Sequence, residues 1–292
     1  MWIITWSCLT TSLNVAEIVA KILPGPEAPR SPIYMMGSKA TIAPWVVRHF
    51  PKHRVYCEPF GGAASLLLAK DPSPVEIYND INVYMVNFFT VLRDRSQELI
   101  GRLAFAPAAR LPYETILFQW KERGPPTDPL TQAYEWFILA SQSFSGHLGT
   151  GWAHSRQGQS AARRWINAVD RLYAAAERLQ LVQIESGPWE KVVKLYDGED
   201  TLFYVDPPYV MTTDPYPQTP KWTWQNYASL LRTLSQVKAK VALSTYPNQI
   251  HQTLIPTWKW DSLAVTKTSE GVTAANPIKT RQLATELLLM NF

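Results

Sequence analysis

The chain has 292 residues, 46% of them hydrophobic and 18% charged, with a formal net charge of +4. That balance builds a sizeable core and excludes a disordered or low-complexity chain. Two cysteines, Cys8 and Cys57, exclude a disulfide scaffold, and no Cys/His spacing suits zinc.

Residues 1–30 read as an N-terminal extension, with a short helix over 14–23 stopped by Pro24-Gly25-Pro26. No run is long and apolar enough to span a bilayer, and residues 1–12 lack the basic start of a signal peptide. No membrane is therefore expected, and a reducing cytoplasm is the simplest compartment. Residues 31–94 read as the first half of an α/β domain. A helix is expected over 41–50 with Pro44 in its first turn, then a strand, a glycine turn and a helix, a strand over 75–78 and a helix over 83–93. Residues 95–178 change character. Trp136, Phe137, Ile138, Leu139 and Phe144 form a helical apolar stretch, and Trp165, Ile166, Val169, Leu172 and Tyr173 recur at helix spacing within 163–179. This is a mostly helical inserted module. The α/β domain resumes over 179–292, with strands at 181–186, 201–205 and 240–244 and a helix over 224–235.

The most informative motif is Asp206-Pro207-Pro208-Tyr209. It follows the apolar run Thr201-Leu202-Phe203-Tyr204-Val205, which reads as a buried strand. Two prolines cannot donate to a ladder, so the strand must end there. A carboxylate, the Pro207 carbonyl and the Tyr209 ring are thereby gathered at the carboxyl edge of a sheet, where open α/β folds bind ligands. Two acceptors beside a stacking ring suit a planar amino-heterocycle such as adenine. The competing reading is a surface turn.

A second motif weighs against that turn. Glu58-Pro59-Phe60-Gly61-Gly62-Ala63-Ala64-Ser65 reads as a strand end, a glycine turn and a helix start. Glycine lets the backbone approach a ligand, and the helix start offers free N–H groups. About twenty residues on, Asp80-Ile81 stands where a nucleotide-binding βαβ unit carries the acid that takes ribose hydroxyls. The turn lacks the GxGxxG spacing of dinucleotide sites.

At these residues the chain resembles a known family, the D12 class of N6-adenine-specific DNA methyltransferases, to which the Dam enzymes belong. The likeness is carried by Tyr34-Met35-Met36-Gly37-Ser38-Lys39, the Glu58-to-Ser65 turn, Asn79-Asp80-Ile81-Asn82, Asp206-Pro207-Pro208-Tyr209 and the ending Thr285-Glu286-Leu287-Leu288-Leu289-Met290-Asn291-Phe292. The order of these pieces is also that of the family.

The resemblance implies a Rossmann-like sheet with an inserted target-recognition domain, S-adenosylmethionine as methyl donor, and transfer to a flipped-out adenine in double-stranded DNA. It implies cofactor contacts from Tyr34, Met36, Gly37, Lys39, Glu58, Pro59, Phe60, Gly61, Gly62, Ala63, Ser65, Asp80, Ile81 and Asp206. Lys39 suits the donor's carboxylate, and Glu185-Ser186, with Trp189 nearby, suits the edge of its adenine slot. Asp206, Pro207, Pro208 and Tyr209 form the catalytic corner, and no metal is required. In the middle segment, Ser143-Phe144-Ser145-Gly146 keeps the family's shape while its polar readout residues differ.

Basic residues concentrate where DNA would lie. Residues 216–292 hold eight Lys/Arg against three Asp/Glu, and 147–164 hold three Arg, two His and no acid. Arg156, Arg163, Arg164, Lys267, Lys279 and Arg281 are the expected DNA contacts, the last three flanking a hairpin over 268–280. A bacterial or phage-encoded monomer, alone or with a cognate restriction endonuclease, fits this pattern. The rival readings are a cytosine-N4, RNA or protein-glutamine methyltransferase, and a non-catalytic nucleic-acid-binding protein on the same fold. The aspartate of the corner favours adenine over these.

Overall fold

The computed structural model describes residues 29–35, 37–143, 151–154, 160–210, 222–266 and 283–292. Outside these lie Cys8, the expected helix over 14–23, Met36, Phe144, Arg156, the expected hairpin over 268–280, Lys267, Lys279 and Arg281.

Among the described residues seven strands form one mixed sheet: β1 (Val55–Glu58), β2 (Val75–Asp80), β3 (Val182–Ser186), β4 (Thr201–Val205), β5 (Lys240–Thr245), β6 (Lys259–Thr266) and β7 (Leu283–Met290). Their order is β3-β2-β1-β4-β5-β7-β6. The first five are parallel, whereas β7 runs antiparallel to both β5 and β6. This is the Rossmann-like α/β sheet expected from the sequence. β4 is buried at every position, as a central parallel strand covered on both faces must be.

Alternation along the strands divides the core in two. Tyr56, Tyr78, Leu202, Tyr204 and Leu288 point to one face, where the helices between β2 and β3 pack. Cys57, Ile77, Phe203, Val205 and Leu289 point to the other, under the helices at Trp189–Tyr196 and Trp224–Leu234. Among the described residues five helices stand between β2 and β3: α3 (Val83–Asp94), α4 (Ser96–Ala104), α5 (Arg110–Arg123), α6 (Pro129–Gln142) and α7 (Ala161–Leu179), after the short α1 (Ala43–Val47) and α2 (Ser65–Ala69). They bury Leu99, Tyr113, Trp136, Phe137, Trp165 and Leu172 in the same apolar cluster as the sheet face. The Phe88 and Phe137 rings stack at 5.0 Å, joining α3 to α6.

Local differences from the sequence reading have local causes. The helix expected over 41–50 is a 3-10 turn (Lys39–Thr41) followed by α1, because Ile42 leaves helical geometry and Pro44 sits in the new first turn. The strand expected over 75–78 runs on to Asp80, since Asn79 and Asp80 pair with Glu185 and Ser186.

Candidate active site

In strand order the sheet reverses direction of growth at β1 and β4: β2 and β3 are laid down on one side of β1, β4 and β5 on the other. Ligands of open α/β sheets bind at such a switch point, beyond the carboxyl ends of the strands. Both sequence motifs emerge there. The glycine turn leaves β1 after Glu58, and Asp206 follows Val205 at the end of β4.

The glycine turn is shaped by close approach. A side chain at Gly61 would overlap the buried Tyr78 ring, and Gly62 has φ +48°. Asp80 secures the turn: one carboxylate oxygen accepts the Gly62 N–H and the other the Asn82 N–H, each at 2.8 Å. A carboxylate has lone pairs beyond those two, so it can still take ribose hydroxyls. Tyr78 donates its hydroxyl to the Gly62 carbonyl, and Asn79 donates to the Pro59 and Gly187 carbonyls. Ala64 enters α2 through a left-handed conformation, φ 54°, which is uncommon for a residue other than glycine. Beside Asp80, Ile81 is 45% exposed.

The segment before the 3-10 turn lies over this loop. Ser31 donates to the Ala63 carbonyl at 2.6 Å, and the Ser38 and Ser65 hydroxyls are 2.8 Å apart. Tyr34 is exposed, and Gly37 has φ +82°. This path carries Lys39 into the corner at Asp206. Its ammonium sits 2.9 Å from Asp206 Oδ1 and 3.6 Å from Glu286 Oε1, and it donates to the Gly37 carbonyl at 3.0 Å. It also lies over the Tyr209 ring, 4.9 Å from the centroid. Tyr209 donates its hydroxyl to Glu286 at 2.5 Å, with Asp206 Oδ1 at 3.3 Å, and its ring meets Tyr246 edge-on at 4.5 Å.

Charge in this corner is tightly held. Burial pushes the Asp206 carboxyl above its ordinary value, while Lys39 and the Tyr209 hydroxyl pull it back. Burial works against the Lys39 ammonium as well, yet the Asp206 and Glu286 carboxylates outweigh it and raise its pKa. Two carboxylates facing one ammonium leave a net negative charge. Pro207 is buried and Pro208 half-buried.

Glu58, one strand away, is 2% exposed and accepts the Tyr56 hydroxyl at 2.7 Å. Among the described residues it has no ion pair, and burial raises its pKa to about 8. The folded value lies above the unfolded one, so the stability this group contributes is fully present below pH 4.5 and is lost as pH rises through about 8. Each unit of difference is worth about 1.4 kcal/mol, so the loss reaches a few kcal/mol. Glu58→Gln, which cannot ionise, is expected to hold its urea midpoint across pH 5–9 better than the wild type does. Parallel pH profiles for the two proteins would show that Glu58 ionises freely in the fold.

The remaining expected residues are spread along the same edge. Ser186 is level with Asp80, and Glu185 accepts the Tyr196 hydroxyl at 2.8 Å. With strands about 4.8 Å apart, the end of β3 and the Asp206 corner are separated by the width of an extended nucleoside with a side arm. Phe60 stacks against Trp189 at 6.1 Å, so Trp189, 8% exposed, is a wall behind the turn and not an open edge. Arg163 and Arg164 are exposed in the first turn of α7, where Ser160 caps the Arg163 N–H. Glu286 and Tyr246 had been given no role from sequence. The signal for Glu286 was available: a charge inside the otherwise apolar strand Leu283–Met290. Among the described residues no His, Cys, Asp and Glu group is arranged to hold a metal ion, and no helix is long and apolar enough to cross a membrane.

Two solved structures of the rRNA methyltransferase aviRa from Streptomyces viridochromogenes, at 2.4 Å and 1.5 Å, are similar to the chain at 14% identity with TM-scores of 0.37 and 0.38. These alignments cover 95% and 93% of this chain and 92% of each aviRa chain. No curated protein matches the chain. Residues 35–124, which carry Lys39, the glycine turn and Asp80, match the family model of the D12 class N6 adenine-specific DNA methyltransferase, a family whose methyl donor is S-adenosylmethionine.

Proposed function

We propose that this protein methylates the N6 amine of adenine in duplex DNA, using S-adenosylmethionine and a target base turned out of the helix. The observation that carries this reading is Asp206. It is a carboxylate at a strand end, with its side chain 20% exposed, beside a ligand-accessible glycine turn and within a corner of net negative charge.

The residues fit the donor. Gly62 has nothing nearer than Met35 Sδ at 4.0 Å where a side chain would stand, Asp80 has lone pairs to spare, and Ile81 offers an exposed apolar surface. Bound there, S-adenosylmethionine supplies a methyl group already activated on a sulfonium.

What is left for the chain is orientation and charge. The adenine amine is a poor nucleophile because its lone pair is delocalised into the ring. The Asp206 carboxylate and the Pro207 carbonyl accept its two N–H hydrogens, which favours a pyramidal nitrogen and stabilises the positive charge growing on it. Tyr209 presents a ring for the base to stack on, braced by Tyr246. Extruding a base costs a few kcal/mol. Arg156, Arg163, Arg164, Lys267, Lys279 and Arg281 are the side chains we assign to the phosphates and base edges that offset it. The setting this reading implies is a bacterial or phage-infected cytoplasm, as a monomer, with or without a partner endonuclease.

Expression in a host lacking adenine methylation, followed by single-molecule sequencing of its DNA, tests the proposal. The expected result is N6-methyladenine in one fixed sequence context. N4-methylcytosine alone would overturn the target base. Modified RNA with unmodified DNA would overturn the polymer.

A further inference from the structure

Glu286 lies in the closing segment that carries the family likeness but has no contact assigned to the donor or the target base, yet it is 3% exposed and lies at the centre of the Asp206 corner. A buried carboxylate is costly unless it is paired and hydrogen-bonded. Glu286 is both. It takes the Tyr209 hydroxyl at 2.5 Å and lies 3.6 Å from the Lys39 ammonium. It reaches these partners from β7, a strand joined to the parallel sheet only through β5.

Subtracting Glu286 shows what it does there. Lys39 and Asp206 alone would form a neutral pair at 2.9 Å. The ammonium would then be held by Asp206 Oδ1 without a second carboxylate, and the corner would carry no net charge toward a nitrogen becoming positive. A second carboxylate on the far side of Lys39 shares the ammonium and restores the negative charge. The same carboxylate holds the Tyr209 hydroxyl, which fixes the ring on which the base would stack.

We propose that Glu286 is a positioning residue of the transfer reaction, keeping Asp206 available to the target amine by sharing Lys39 and keeping the Tyr209 ring in place. The proposal rests on the adenine-methylation reading above. Glu286 acts through Asp206, Lys39 and Tyr209. Among the described residues, the other titratable side chains facing the corner are Tyr246 after β5, Tyr204 on β4, which is bonded to Ser244 at 2.8 Å, and Glu58 at the end of β1.

The test compares Glu286→Gln, Glu286→Asp and Asp206→Ala with the wild type. Tritium transfer from labelled donor to unmethylated plasmid DNA is followed as a function of pH, and donor affinity is measured by calorimetry. Gln keeps the shape and the acceptor for Tyr209 but removes the charge. Glu286→Gln is expected to bind donor within about threefold of wild type and to lose about tenfold or more in kcat. Removing a like charge makes Asp206 easier to ionise, so the acid limb of its kcat profile should move to lower pH. A merely structural role would not move that limb. Glu286→Asp retains the charge but falls short of Tyr209. It should leave the limb in place, with a lower kcat and a higher KM for DNA. If Glu286→Gln fails to bind donor, Glu286→Asp decides alone, and wild-type kcat and KM in that variant would overturn the proposal. Wild-type kcat with an unmoved acid limb in Glu286→Gln would overturn it too, while an inactive Asp206→Ala in the same assay would leave the methylation reading standing. An active Asp206→Ala would instead sink that reading.

Discussion

Replacing Asp206 by Ala is expected to lower methyl transfer at least about a hundredfold, the scale of losing one preorganised electrostatic partner, while leaving the fold intact. The geometry explains why the fold should survive. Asp206 follows the last residue of β4, and its side chain is 20% exposed, so no core volume is removed. Lys39 is not stranded either, because Glu286 at 3.6 Å and the Gly37 carbonyl at 3.0 Å remain as partners. What disappears is the acceptor proposed for the target amine. Tritium transfer to adenine-containing duplexes, with the product nucleoside identified by mass, is the measurement. Near-wild-type transfer would refute the mechanism. Tyr209→Ala should weaken the hold on the flipped base by about 1–3 kcal/mol, the worth of base–aromatic stacking. Tyr209→Phe should be milder because the ring remains, although it gives up the bond to Glu286.

The corner was half legible in the sequence, for reasons that can be assigned. Val205 closes an apolar run and two prolines follow Asp206, so local chemistry alone ends β4 where the structure ends it. The glycine turn and Asp80 were legible for the same reason. Each is a local signal, and their spacing within one βαβ unit is short. Helix α7 announced itself by periodicity, with Trp165, Val169 and Leu172 buried on one side and Arg163 and Arg164 outside, although Ile166 and Tyr173 of the same expected stripe are exposed.

What sequence did not reveal is non-local. The insertion of β7 between β5 and β6 is set by pairing partners such as Leu288 with Ser244 and with Asp261, which no local pattern specifies. Glu286 gains its meaning only from that insertion. From sequence, Lys39 was assigned to the donor's carboxylate. The structure sets its ammonium against Asp206, Glu286 and the Gly37 carbonyl, a placement that depends on the chain crossing over the glycine turn. Trp189, named from sequence only as lying near the Glu185-Ser186 edge, has a setting that is likewise non-local. It packs on Phe60 with the apolar cluster beneath the sheet.

The second large effect expected is on stability, at Glu76. This residue of β2 is fully buried and carries two cations: Lys70 Nζ and an Arg178 nitrogen each lie 2.5 Å from its carboxylate oxygens. Arg178 stands near the end of α7 and also donates to the Leu67 carbonyl of α2. Lys70 donates to Ser73 and to the Asp71 carbonyl and lies over the Tyr56 ring. The cluster therefore ties the last helix before β3 to the strand and helix that frame the glycine turn. Burial opposes the Glu76 charge, but hydrogen bonds from Arg178 and Lys70 prevail and hold its carboxyl below the ordinary value. Glu76→Leu would leave two buried cations without their anion, and a broken buried ion pair costs about 3–5 kcal/mol. Urea denaturation should show a loss of that size. Changing all three residues together, Lys70→Met, Glu76→Leu and Arg178→Met, should recover most of it, because an apolar cluster of similar volume requires no desolvated charge. The comparison separates two roles for the cluster. Recovery in the triple variant means that the single replacement fails through uncompensated charge. A triple variant as unstable as Glu76→Leu would mean instead that the hydrogen bonds lost with the two cations, from Arg178 to Leu67 and from Lys70 to Ser73 and Asp71, are what the cluster contributes.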